Sequence, residues 1–192
     1  EAFAPTYIET NMAIAYAASM RSSCLKRKVG AVIVDIAGDV FSSGYNEVPA
    51  ANNTCKCEYG MCYRDKLKKD YKETLGSVIK KSKEREAAYT LFKKNFKILD
   101  YCRALHAEEN AILNVARVGA SAALPASTLF TTTYPCNLCA NKIAQVGIKH
   151  IVYFEPYPME EAKKILEDKG VEQESFEGVT YNGYFRLMEV LF

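Results

Sequence analysis

Apolar residues recur at two different spacings in the first half of this chain. Residues 11–21 (NMAIAYAASMR) carry apolar side chains at helical spacing and are rich in alanine, which predicts a helix buried on one face. Residues 29–36 (VGAVIVDI) form a short β-branched run, and residues 39–46 (DVFSSGYN) follow after a turn signal. These two runs predict a hairpin with at least one fully buried strand.

Helix and strand patterns alternate through the second half. The predicted elements are helices over 105–119, 137–147 and 158–170 and strands over 127–134 and 149–155. The segments FEGV and RLMEVLF near the C-terminus are candidates for further short strands. Because the connections have the length of helices, the strands they join are expected to be parallel, in an α/β layer sandwich.

The segment between the two halves is less regular. Residues 46–63 have no periodicity and hold three cysteines, so they are predicted to form a loop. Residues 64–98 are charged, with apolar positions that predict one or two helices interrupted near Gly76 and Ser77. We expect a single domain over 1–192 with an insertion at about 52–100.

The charge of the chain is close to balanced overall but not locally. The 192 residues are 49% apolar and carry a net charge of +2, too small to imply a polyanionic partner by itself. Residues 64–97 hold twelve Lys or Arg against five Asp or Glu, a local +7. This stretch is either a solvated helix pair or a rim that attracts a triphosphate substrate, an allosteric nucleotide or a nucleic acid.

The number and spacing of the cysteines argue against a secreted disulfide scaffold. There are seven, and both the group Cys55, Cys57, Cys62 and the pair Cys136, Cys139 have spacings typical of metal ligands. We therefore expect a reducing, cytoplasmic setting. No run approaches 18 uncharged apolar residues, so no segment is predicted to cross a membrane.

Two separate motifs offer the ligands of a catalytic zinc site. His106 opens one predicted helix, and Cys136 and Cys139 lie at the first turn of another, after Pro135. Three protein ligands leave a fourth position for water, as in catalytic zinc sites. Glu108, two residues past His106, would stand beside that water as a general base that passes its proton to a substrate nitrogen.

Each motif alone has simpler explanations. A Cys-x-x-Cys pair also occurs in redox and structural metal sites, His-x-Glu arises by chance, and Glu109 can be a solvated helix residue. The conjunction of His-x-Glu before a helix with Pro-Cys-x-x-Cys before a second helix is the signature of zinc nucleobase deaminases. The combination therefore favours catalysis.

Several segments resemble the deoxycytidylate (dCMP) deaminase branch of the cytidine/deoxycytidylate deaminase superfamily. They are CRALHAEENAI, LFTTTYPCNLCANKIAQVGIKHIVY and RKVGAVIVD with SSGYNEVP. The run VYFEPYP with EAKKIL also resembles the deaminase module of bacterial anti-phage dCTP deaminases. The resemblance implies a three-layer α/β/α sandwich with a mixed central sheet and helices on both faces. It also implies zinc-dependent hydrolytic deamination of dCMP or dCTP to the deoxyuridine nucleotide and ammonia.

The same resemblance suggests substrate contacts. Asn46 corresponds to an asparagine that holds the sugar hydroxyl, although it can also be a turn residue. Arg27 and Lys28 lie in a region that contacts phosphate, or are simply solvated. The remaining expected contacts are ring stacking by Tyr134 and Tyr153, which can instead be core or rim residues, and a backbone contact to the base from Ala107.

A second cysteine cluster predicts a second, structural zinc. Its expected ligands are Cys55, Cys57, Cys62 and Cys102, with free surface thiols as the alternative. Cys24 is expected to be a small core residue, and His150 a packing or surface residue.

Two other functions remain open from the sequence. One is a deaminase acting on a base within RNA or DNA, and the other is a non-catalytic, zinc-stabilised module that binds a nucleotide. The leading expectation is a small-molecule nucleotide substrate, with an allosteric nucleotide as a further option. Nucleic acid and membrane are not expected partners. The resemblance also implies a homo-oligomer, with the apolar surface of the helices after the site as an interface.

Overall fold

The structure is a computed structural model that describes residues 4–49, 53–95, 101–157, 159–180, 182–183 and 186. Its helices are α1 (Tyr7–Ser19), α2 (Cys55–Tyr59), α3 (Tyr63–Val78), α4 (Ser82–Asn95), α5 (Ala107–Arg117), α6 (Asn137–Val146) and α7 (Glu160–Asp168). Its strands are β1 (Gly30–Val34), β2 (Val40–Tyr45), β3 (Thr128–Thr133), β4 (His150–Glu155) and β5 (Glu172–Ser175). A short 3₁₀ helix, Ser121–Ala126, precedes β3.

The five strands form one mixed sheet in the order β2-β1-β3-β4-β5. Strand β1 pairs antiparallel with both β2 and β3, whereas β3, β4 and β5 are parallel to one another. The predicted hairpin and the mixed sheet are therefore confirmed. All five residues of β1 are buried, as expected for a central strand.

Helices cover both faces of this sheet. On one face, α1 contributes Met12 and Ala15 to a core with Val32, Phe130 and Val152. On the other face a larger core joins residues of α5, α6 and α7 to alternate residues of the strands. The three-layer α/β/α sandwich is confirmed.

The chain divides into two compact units. The sheet and its four covering helices belong to the first, Glu1–Ser22, Lys28–Asn46 and Leu105–Phe192, and the second comprises Ser23–Arg27 and Glu47–Ala104. In the second unit, α2, α3 and α4 contain no buried residue. Lysines of α3 pair with carboxylates one turn on, as in Lys66–Asp70 and Lys69–Glu73. These contacts favour the solvated interpretation of the basic stretch.

The irregular segments differ in detail from expectation. Residues 46–63 are not all loop, because Thr54 caps the short helix α2 by accepting a hydrogen bond from the Cys57 N–H and Gly60 ends it with a left-handed φ of 67°. The basic stretch does form two helices, but they separate after Val78 and not at Gly76. Among the described residues the last strand is β5, and FEGV is not a strand. The RLMEVLF segment lies outside the described residues except for Arg186.

Within the described residues, no helix is both long enough and apolar enough to span a bilayer.

Candidate functional site

Three side chains from the two motifs converge in the first unit. His106 Nδ1 lies 3.3 Å from Cys136 Sγ and 3.4 Å from Cys139 Sγ, and the three atoms all lie within 4.8 Å of one another. In a tetrahedral zinc site, Zn–N and Zn–S bonds of ordinary length place nitrogen about 3.6 Å from sulfur. The donor types and their spacing therefore fit a zinc ion.

Each ligand is placed by the start of a helix. His106 is the N-cap of α5 and Cys136 the N-cap of α6, both with extended backbone. Cys139 lies in the first turn of α6 and is almost fully buried. Because the N-terminal end of a helix carries partial positive charge, thiolates at this position are favoured.

The position of α5 on the sheet is set by a glycine and by hydrogen bonds. At Gly44 in β2, a Cβ would lie 2.2 Å from the carbonyl oxygen of Ala107, so only glycine permits this approach. The Asn110 side-chain amide donates to the Tyr45 carbonyl, and Ser42 Oγ donates to the Ala111 carbonyl. These contacts hold the first turn of α5, with His106 at its start, against the sheet.

The ionisation of the two thiols is strongly divided. The Cys139 thiol hydrogen-bonds to Cys136 and, with a further contribution from His106, lowers the pKa of Cys136 to about 4. The same bond, together with burial, raises the pKa of Cys139. The Cys136 contact also raises the pKa of His106. One of the two sulfurs is thus readily available as a thiolate even without an added cation.

Glu108 is buried beside the three ligands. Its residue is 4% exposed, and desolvation by burial raises the pKa of its carboxyl. A carboxyl with a raised pKa can hold and release a proton nearer to neutral pH than a solvated one. The structure therefore places a buried, titratable carboxyl beside the three candidate ligands.

Asn137 was not singled out from the sequence. Its Oδ1, on the residue after Cys136, is buried and has no hydrogen-bond partner among the described residues. A buried acceptor of this kind needs a donor, which a ligand or a water molecule would supply. The only feature of the sequence that could have pointed to Asn137 is its position inside the Cys-x-x-Cys motif.

Asn46 is buried at the end of β2 and has a structural task. Its Oδ1 accepts a hydrogen bond from the Val29 N–H at 2.7 Å, and its carbonyl accepts one from Ser22 Oγ at 2.6 Å. It therefore helps to fix the start of β1. Ala107 is fully buried, whereas Arg27 and Lys28 are exposed.

Tyr134 and Tyr153 contact one another edge to face, with ring centroids 4.8 Å apart. They line a cavity of about 520 Å³ together with residues of α7 and β5, and the Tyr134 hydroxyl bonds to Gln173 Oε1 at 2.5 Å. Burial raises the pKa of Tyr134 to about 12, so it stays neutral and can donate. None of His106, Glu108, Cys136 and Cys139 is among the described residues that line this cavity.

The other cysteines lie in the second unit, where, among the described residues, no three of their sulfurs lie within 4.8 Å of one another. A cavity of about 20 Å³ is lined by Cys24, Cys55, Cys62 and Cys102 among other residues. Cys57 is exposed and does not line it. Sequence reasoning left Cys24 out because it lies 31 or more residues from the others and, unlike Cys102, is not close in sequence to a predicted ligand such as His106.

The sequence matches a family model that spans both motifs. The family model described as the cytidine and deoxycytidylate deaminase zinc-binding region matches residues 5–155. The chain belongs to this family. Its match includes both motifs and the whole of the sheet except β5.

Relatives in this family are named deoxycytidylate deaminases. That of Schizosaccharomyces pombe is 34% identical over 173 residues, which cover 88% of this chain and 44% of the yeast protein. That of enterobacteria phage T4 is 35% identical over 177 residues, which cover 85% of this chain and 86% of the phage protein. The chain thus spans less than half the length of the yeast relative.

A solved relative has the same fold. The dCMP deaminase of cyanophage S-TIM5, in complex with dCMP and dUMP, superposes with a TM-score of 0.61 and 26% identity. The match covers 91% of this chain and 100% of that one.

Proposed function

We propose that this chain is a zinc-dependent hydrolytic deaminase that converts dCMP to dUMP and ammonia. The observation that carries the proposal is the buried carboxyl of Glu108 beside the cluster of His106, Cys136 and Cys139. The names of the relatives, and the dCMP and dUMP of the cyanophage complex, support the substrate.

His106, Cys136 and Cys139 would hold the zinc ion. When bound, zinc acts as a Lewis acid that lowers the pKa of water towards neutrality. Glu108 accepts a proton from the attacking water and passes it to N3 of the cytosine ring, and then helps to protonate the amino group. Carbon 4 gains the oxygen of water and loses ammonia, so one water is consumed for each ammonia released.

The substrate contacts are proposed from the resemblance to deoxycytidylate deaminases. Asn46 would contact the sugar, Ala107 the base through its backbone, and Arg27 and Lys28 the phosphate. Tyr134 and Tyr153 line the cavity on the α7 side, which none of the three candidate ligands lines, so stacking of their rings on the cytosine base stays a prediction. An allosteric nucleotide and dCTP as substrate remain predictions.

Ammonia release across dCMP, dCTP, CMP, cytidine and a short cytosine-containing oligonucleotide tests the proposal. We expect turnover with dCMP that Glu108→Gln abolishes while zinc content is unchanged. Release from the oligonucleotide alone would favour a nucleic-acid deaminase. A zinc-loaded protein inactive on all five substrates would refute the enzyme and leave a nucleotide-binding module.

We propose a second, structural zinc held by Cys24, Cys55, Cys62 and Cys102. These four cysteines line one cavity of about 20 Å³, and four thiols are a complete structural zinc set. Because no three of these sulfurs lie within 4.8 Å of one another, zinc binding would have to draw them together. Metal analysis should find two zinc ions per chain, one of which is lost in Cys62→Ala. The matched control is Cys57→Ala, in which both ions should be retained. Loss of one ion in this variant would instead support the ligand set expected from the sequence, which includes Cys57.

We also propose a homo-oligomer that covers the apolar groove between α5 and α6. Ile112, Leu113, Leu138 and Val146 line this groove of about 600 Å³, and the two leucines are 47% and 46% exposed. Leu138→Glu should lower the mass measured by light scattering, while Leu91→Glu on α4 should not. A wild-type monomer would contradict this proposal. We also propose a cytoplasmic setting, because none of the seven cysteines, all of which the structure describes, forms a disulfide bond.

A further inference from the structure

Glu109 connects the two helices that carry the metal ligands. Its Oε1 lies 2.7 Å from Lys142 Nζ on α6, and its Oε2 accepts a hydrogen bond of 3.4 Å from the backbone N–H of His106. The Glu109 side chain is 21% exposed and the Lys142 side chain 41% exposed, so the pair is partly shielded from water. One carboxylate thus contacts both the residue that supplies the nitrogen ligand and the helix that supplies the sulfur ligands.

The two helices share the larger hydrophobic core, but among the described residues the Glu109–Lys142 contact is the one ion pair that joins them. Helix α5 makes most of its contacts with β2, whereas α6 makes most of its contacts with α7. The two helix starts must nevertheless keep their separation closely, because metal–ligand distances tolerate only about 0.2 Å of change. The ion pair spans the two helices beside the ligands, since Lys142 lies one turn after Cys139 on α6.

We propose that Glu109 is a positioning residue that holds the His106 ligand at the correct distance from the Cys136 and Cys139 sulfurs, acting through Lys142. It does not share the role of Glu108, which is buried and forms no ion pair with a lysine or arginine that the structure describes. The inference rests on the proposed zinc ligands, but not on the identity of the substrate.

The test is a double-mutant cycle with Glu109→Gln, Lys142→Met and the combined variant. Glutamine keeps an acceptor for the His106 N–H and loses the charge, and Lys142→Met keeps the Glu109 contact with His106. Zinc affinity is measured by competition with a chromophoric chelator. The absorption spectrum of the cobalt-substituted protein reports the ligand geometry. Light scattering checks that all variants have the same oligomeric state as the wild type.

We expect each single variant to bind zinc about tenfold more weakly, at the lower end of the effect of residues that orient metal ligands. The combined variant should bind zinc no more weakly than the weaker-binding single variant, because both changes remove the same interaction. The cobalt spectra should shift in all three. Lys69→Met, which removes the ion pair with Glu73 on α3, is the matched control and should leave both measurements unchanged.

Single variants that bind zinc within twofold of wild type with unchanged cobalt spectra would overturn the inference, whatever their melting temperatures. So would losses that multiply in the combined variant. A protein that binds zinc but deaminates no cytosine nucleotide would refute the proposed function alone, because these measurements use no substrate.

Discussion

Gly44→Ala should displace the helix that carries the candidate site. A Cβ at this position would lie 2.2 Å from the Ala107 carbonyl oxygen and 2.4 Å from the Ala111 nitrogen. Both are backbone atoms of α5, so no side-chain rotation relieves the overlap. The helix has to move away from β2.

The size of that movement follows from the distances. To open the contact with Ala107 from 2.2 Å to 3.0 Å, the backbone next to His106 has to shift by about 0.8 Å, several times the roughly 0.2 Å that metal–ligand distances tolerate. Overpacking of this kind costs about 1–3 kcal/mol of stability. A displacement near 1 Å at a catalytic group costs about 100-fold in rate. We therefore expect kcat/KM on dCMP to fall about 100-fold and zinc affinity at least tenfold.

Two other glycines provide controls. At Gly30 a Cβ would lie 1.9 Å from the Ala15 carbonyl of α1, on the opposite face of the sheet, so Gly30→Ala should lower the melting temperature but retain zinc affinity. At Gly76 in α3 the nearest atom would be 3.7 Å away, so Gly76→Ala should be neutral or stabilising. A Gly44→Ala protein with wild-type stability and zinc affinity would refute the reasoning.

Three further changes test separate parts of the structure. Burial raises the folded-state pKa of Glu108, so its contribution to the stability of the metal-free protein is present at low pH and is lost as pH rises through that pKa. Urea unfolding of the metal-free proteins should therefore show Glu108→Gln to be more stable than wild type at pH 8. This difference in unfolding free energy should disappear near pH 4. Asn46→Ala leaves the Val29 N–H without its acceptor and should lower the free energy of unfolding by about 1–3 kcal/mol, whereas an unchanged urea midpoint would show that water replaces the bond. Thr6→Ala removes the capping box of α1 and should cost about 1 kcal/mol by thermal unfolding with no change in zinc affinity; weaker zinc binding would contradict the separation of the two faces.

In the first unit, an element could be predicted where its side chains form a recognisable pattern in the sequence. Strand β1 is a run of five apolar or small residues buried on both faces, and α5 and α6 both begin next to a predicted ligand. Strand β5 has the sequence EQES, which offers no apolar alternation. It forms because its backbone pairs in parallel with β4. Backbone pairing does not require a particular pattern of side chains, so the sequence did not predict this strand.

The helix boundaries in the second unit show a different limit. Gly76 suggested a break, but a glycine inside a helix costs only about 1 kcal/mol, and α3 continues to Val78. The short helix α2 had readable signals in Thr54 and Gly60, yet five residues are too few for a periodic pattern. Local signals therefore predict an element only where its length allows a period to emerge.

The same distinction separates the predicted from the missed parts of the site. Glu108 follows His106 by two residues and Cys139 follows Cys136 by three, so the geometry of one helical turn fixes each pair before any tertiary structure forms. Lys142 is 33 residues from Glu109, and Cys24 is 78 residues from Cys102; only the folded chain brings either pair to one place. Ligand types and spacings can thus be recognised in a sequence, whereas the residues that hold two such motifs at a fixed separation depend on the whole fold and become visible only in the structure.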